Sequence, residues 1–180
     1  MNQTLFKIFL TSSFLCLIAC SDFNEEKANE FQSLTQLQQA HYWQQKNLVV
    51  LLSKVRALGI TVNIVGDQYE ILFPASYLFK DNTSQLYLGK ESIFKAIADL
   101  IKAQSTAGVY VQAYSGAYSS REQNFALTQS WADTVTRYLR DQDLQTGFIA
   151  AQGHGECDNI SKDSELANRI EIHYQISHED

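Results

Sequence analysis

Residues 113–139, AYSGAYSSREQNFALTQSWADTVTRYL, are laid out as a ligand-binding strand, loop and helix. Charge is missing at the two points where a grip belongs: Gly116 stands at the strand end and Trp131 in the helix that follows. Arg121, Asp133 and Arg169 are the nearby residues able to supply charge instead, although nothing in their spacing requires it. Arg121 and Arg137 otherwise read as solvated helix surface. Trp131 lies four residues from Leu127 and four from Val135, so it reads as a core residue on the inward face. The alternative is that its indole plugs the groove or stacks on a sugar or a partner. The remaining reactive residues form no constellation. His41, His154, His173 and His178 lack metal-ligand spacing, and neither His-Glu-x-x-His nor Gly-x-Ser-x-Gly occurs. His154 and Cys157 are better explained as a turn histidine beside a chance cysteine than as a thiolate pair. No enzymatic activity, catalytic residue, metal or cofactor is expected.

The elements that position this segment follow from periodicity. Residues 20–45 are dense in Gln, Asn, Glu and Ser with few branched aliphatics, a composition that cannot bury enough surface to fold alone, and read as a flexible tether. Helical period emerges from about Leu34 to Leu58 through Leu37, Tyr42, Leu48, Leu51, Leu52 and Val55, with Gly59 as a stop. Alternation on both sides of Gly66-Asp67 predicts a hairpin of strands near 60–65 and 68–73, closed by Pro74. A loop anchored by Leu78 and Phe79 leads to a helix near 89–104 with Ile93, Ile97, Leu100 and Ile101 inward. Then come a strand at 109–113, a helix at 122–139 with Phe125, Leu127, Trp131, Val135 and Tyr138 inward, and strands at 148–152 and 170–176. That order is an α+β sandwich with helices on one face of a sheet.

The N-terminus reads as an address. Ile8 to Ile18 is an eleven-residue apolar run behind Lys7, too short to span about 30 Å of hydrocarbon and suited to a signal peptide. Leu17-Ile18-Ala19-Cys20 resembles the bacterial lipobox, which makes residues 1–19 a lipoprotein signal peptide and Cys20 the lipidated first mature residue. Two or three acyl chains, at about 0.8 kcal/mol per buried methylene, form a stable anchor. Ser21 in second place is similar to lipoproteins sorted to the outer membrane. Removing Lys7 leaves 13 of the 14 basic side chains against 20 acidic ones, a net charge of −7 that argues against nucleic acid as a partner. Of three cysteines, Cys16 leaves with the signal and Cys20 is acylated, so Cys157 has no intramolecular disulfide partner.

From about Tyr69 to Ile176 the chain resembles the OmpA-like C-terminal domain. The resemblance rests on Leu78-Phe79 with a later Leu86, the strand end Ala113-Tyr114-Ser115-Gly116, and Asn124 eight residues beyond Gly116. It continues through the helix segment Leu127-Thr128-Gln129-Ser130-Trp131-Ala132, the pair Tyr138-Leu139, a turn at Gly153-His154-Gly155-Glu156, and the strand Asn168-Arg169-Ile170-Glu171-Ile172. The resemblance implies a mixed sheet with two main helices on one face, over 67–180, preceded by a lead-in helix and strand over 46–66. It also implies a peptidoglycan pocket at the equivalents of Tyr114, Ser115, Gly116, Asn124, Trp131 and Arg169. In that family an aspartate at the strand end and an arginine in the helix grip the ammonium and carboxylate of diaminopimelate. Charge-assisted bonds of this kind contribute roughly 1.5 to 3 kcal/mol each. Gly116 and Trp131 occupy those two positions here, so peptidoglycan binding is expected to be weak or absent.

Upstream, LVVLLSKVRALGITVNIVGDQYEILFPASYLF is similar to the lead-in of the small lipoproteins of Dot/Icm type IVB secretion systems, the DotK (IcmN) group, with Phe73-Pro74 in the place of its Leu-Pro. This narrower resemblance implies an accessory subunit at the outer-membrane end of a transenvelope complex, with other envelope proteins as partners. The competing expectation is a lipoprotein that tethers the outer membrane to the wall.

Overall fold

A computed structural model of the chain describes residues 33, 35–81, 83–116, 120–156 and 165–177. Cys20, the signal segment, Cys157 and His178 lie outside the described residues. The chain divides into two compact units, Met1–Lys46 and Asn47–Asp180. In the first unit, residues 35–46 are helical, with Leu37, Tyr42 and Trp43 exposed.

The second unit opens with helical residues 47–57 (α1), which bury Val55 and lay Leu48, Leu51 and Leu52 against the core. Gly59 ends this turn at a φ of 79°, a conformation that costs a residue with a Cβ but not glycine. The hairpin forms as its pattern predicts: β1 (Thr61–Val65) and β2 (Gln68–Pro74) pair antiparallel, Val65 opposite Gln68, around Gly66 at φ 58°. Leu78 and Phe79 are fully buried after a 3-10 turn at Ala75–Tyr77, and Phe79 bridges to Leu86. Helix α2 (Glu91–Lys102) turns Ile93, Ile97, Leu100 and Ile101 inward.

Strand β3 (Thr106–Ser115) is longer than the sequence suggests because it pairs on both edges, parallel to β4 (Phe148–Glu156) and antiparallel to β5 (Arg169–Ile176). Between β3 and β4 runs α3 (Arg121–Arg140), opened by a capping box in which the Ser120 hydroxyl accepts from the Gln123 backbone N–H. The five-stranded sheet has the order β1-β2-β5-β3-β4. Tyr69, Ile71 and Phe73, Val109, Val111 and Ala113, and Ile170, Ile172 and Tyr174 alternate inward and join residues of α1, α2 and α3 in one core. The fold is α+β with a mixed sheet, as expected.

Two readings are corrected. Gly153-His154-Gly155-Glu156 is not a turn between strands; it is the C-terminal part of β4. Phe125 does not face inward: it is 52% exposed, and Asn124 and Thr128 take the buried positions instead. One cause serves both. A Cβ on Gly153 would lie 2.2 Å from the Gln129 backbone nitrogen, so α3 sits almost on the strand and its first turns have room only for small or short polar side chains. The strand in turn donates to the helix, Gly153 N–H to Gln129 Oε1 at 2.9 Å and Gly155 N–H to Thr128 Oγ1 at 2.9 Å.

Candidate functional site

The six positions singled out for a pocket do not converge on one place. Gly116 sits at the end of β3, where its N–H donates to Asn168 Oδ1 at 2.8 Å and ties the strand end to the residue preceding β5. Trp131 is a core residue, 2% exposed. Its indole stacks on Phe79 at 5.9 Å between ring centroids, and Nε1 donates to the Thr83 carbonyl at 2.7 Å. The only donor on the indole is thereby engaged, and the ring offers nothing to a carboxylate.

Asn124 and Ser115 form a different class. Both are buried, at 1% and 0% exposure, and among the described residues neither Asn124 Nδ2, Asn124 Oδ1 nor Ser115 Oγ has a hydrogen-bond partner. Groups of this kind cost roughly 1–3 kcal/mol when left unsatisfied, so they mark where a ligand or water would be favoured.

Tyr114 and Arg169 belong to the opposite face of the sheet, as alternation from inward-facing Ala113 and Ile170 requires. The Arg169 guanidinium lies over the Tyr114 ring at 4.0 Å, the ring stacks on His154 at 4.6 Å, and the Tyr114 hydroxyl donates to Gln112 Oε1 at 2.9 Å. Arg169 Nε also donates to Glu171 Oε1 at 2.6 Å, a buried ion pair. Burial alone would raise the Glu171 carboxyl, but hydrogen bonds and charge from His173 and Arg169 outweigh it and hold the group below the usual glutamate range. Arg169 is thus committed to the sheet face opposite α1, α2 and α3. Asp133 is exposed on α3 and accepts from Gln129 Nε2, and Arg121 is exposed at the helix start.

Sequence spacing missed what the sheet assembles on that face. In the β2–β5 ladder Glu70 stands directly opposite His173, with Glu171 two residues along on the same side. His173 Nε2 lies 3.0 Å from Glu171 Oε2, and one ligand atom from each of Glu70, Glu171 and His173 falls within 4.8 Å of the others. Asn63 of β1 donates to Glu70 Oε2 at 2.7 Å. The signal was present as alternating polar positions in both strands, but only the pairing of β2 with the distant β5 brings them together. A separate open groove of about 750 Å³ lies between Arg121, Glu122 and Phe125 of α3 and Gln152, His154 and Glu156 of β4.

Known proteins place the arrangement. The pattern described as the OmpA family matches residues 78–172. "Probable lipoprotein YiaD" of Escherichia coli (strain K12) is 25% identical over 114 residues, 63% of this chain and 52% of that relative, so the match spans about half the relative's length. Among solved structures, the cell wall anchor of the T6SS from Pseudomonas aeruginosa aligns with a TM-score of 0.60 at 18% identity, over 73% of this chain and 97% of that one. The periplasmic domain of Helicobacter pylori MotB aligns with a TM-score of 0.56 at 14% identity, over 67% and 81%. At these identities the likeness to the solved structures is one of fold.

Proposed function

The chain belongs to the OmpA family, and on that premise we propose that it is a non-enzymatic structural or accessory subunit of a protein complex in the bacterial envelope, held at the outer membrane by a lipid on Cys20. One observation carries this reading: where the family pattern calls for an arginine, Trp131 is packed into the core with its N–H bonded to Thr83. With Gly116 in the aspartate's place as well, the domain keeps the family's scaffold and loses its charged grip. A subunit held by neighbouring proteins has little need of that grip. The similarity of the lead-in helix and hairpin to the DotK group favours a type IVB (Dot/Icm-like) complex as the assembly. Residues 67–180 then serve as the docking domain and 20–45 as the tether.

A second reading, a lipoprotein that holds the wall directly, is favoured by Asn124 and Ser115, whose buried polar atoms have no partner among the described residues. Sedimentation with purified sacculi separates the two. The accessory-subunit reading predicts little pelleting and co-purification with other envelope proteins from detergent extracts. Pelleting that free diaminopimelate competes away would return the chain to wall anchoring.

A further inference from the structure

We propose that Glu70, Glu171 and His173 form a binding site for one divalent transition-metal ion of the zinc type on the sheet face opposite α1, α2 and α3. The inference is independent of the function proposed above.

Three features of the geometry carry it. The first is placement on rigid elements. All three residues lie within paired strands, Glu70 opposite His173 and Glu171 on the same face, so no loop has to move to bring them together. Zinc bonds to imidazole nitrogen and carboxylate oxygen are about 2.0–2.2 Å, which sets neighbouring ligand atoms roughly 3.4 Å apart around a tetrahedral ion. His173 Nε2 and Glu171 Oε2 stand at 3.0 Å, and all three ligand atoms fall within 4.8 Å. Rotation of the partly exposed Glu70 side chain closes the remaining gap.

The second is the outer ring. Arg169 holds Glu171 by Oε1 and leaves Oε2 turned toward His173; Asn63 holds Glu70 by Oε2 and leaves Oε1 free for an ion. Each carboxylate thus has one oxygen oriented by a neighbour and one to give, the way metal-binding side chains are usually steadied. Arg169 does not block the ion, because its guanidinium lies against the Tyr114 ring and engages the opposite oxygen of Glu171.

The third is the donor set. Two carboxylates alone would suit calcium or magnesium, which take oxygen from many sources. An imidazole nitrogen completing the triangle shifts the preference to zinc and its neighbours. Three protein donors leave a fourth position for water or for a side chain of a docking partner. The His173 side chain is 35% exposed, so an ion reaches the site from solvent.

The test is calorimetric titration of zinc chloride into the detergent-purified full chain at pH 7, repeated with magnesium chloride. The expected result is one zinc equivalent per chain at micromolar or tighter affinity, no magnesium binding at the same concentrations, and at least tenfold weaker zinc binding in both His173→Gln and Glu70→Gln. Circular dichroism confirms that each variant is folded. Glu70 is only partly buried, so its variant decides the matter if His173→Gln unfolds. Substituting cobalt gives an independent readout, the visible bands of a low-coordinate site, absent in Glu70→Gln. The proposal is overturned if zinc does not bind stoichiometrically, if magnesium binds as well as zinc, or if Glu70→Gln leaves affinity unchanged. Absence of zinc binding would leave Arg169, Glu171 and His173 as an ion-pair relay only.

Discussion

Trp131 and Asn124 occupy equivalent faces of α3 one family motif apart, yet they have opposite energetic characters. The indole is fully used, by Phe79 and by the Thr83 carbonyl, so Trp131→Ala should cost about 3–5 kcal/mol in chemical denaturation. Trp131→Arg, the change that would restore the family's arginine, should unfold the domain rather than create a binding site, because it buries an unpaired charge. Asn124 is the reverse case, with a buried amide that has no partner among the described residues. Replacing it by the similarly branched leucine should raise stability by about 1–3 kcal/mol, read as a higher denaturation midpoint at unchanged slope. The inward position of Trp131 was legible from its spacing to Leu127 and Val135. The burial of Asn124 was not, since polarity points such a residue outward unless the strand behind it is known to be glycine.

At the scale of elements, the α3–β4 contact decides much of the geometry. A Cβ on Gly153 would meet Gln129 and Thr128 backbone atoms, which cannot yield, so Gly153→Ala should cost about 1–3 kcal/mol or more. At Gly108 the obstacle is the Phe148 ring, a half-exposed side chain free to swing away, so Gly108→Ala should be milder in the same melting experiment. The other element with a sharp prediction is β5. Removing the charge of Glu171 strands a buried guanidinium, and Glu171→Gln should cost about 3–5 kcal/mol. Its carboxyl is held below the ordinary range in the folded chain. The stability it contributes is therefore fully present above the unfolded value of about 4.3 and fades as pH falls through the lower folded one. Melting temperatures measured from pH 6 down to 3 should decline less in Glu171→Gln than in the parent chain. Hairpin, helices and strands were legible because their periods of 2 and 3.6 are strong in this chain. The length of β3 and the strand character of Gly153–Glu156 were not, because glycines suggest turns where here they admit a helix at close range.

The molecule as a whole carries a net charge of −6 and folds as a mixed five-stranded sheet of order β1-β2-β5-β3-β4. Among the described residues no helix is long and apolar enough to cross a membrane. The fold was readable from the order of its elements; the division of the six pocket positions between the strand end, the core and the opposite sheet face was not, because it depends on which way each strand residue points. The proposed role turns on whether the domain grips the wall. The most direct measurement is sedimentation of the purified, non-lipidated chain with sacculi across a range of wall concentrations, with and without free diaminopimelate. The account predicts pelleting that stays low, does not saturate and ignores the competitor. Saturable pelleting abolished by diaminopimelate would contradict it.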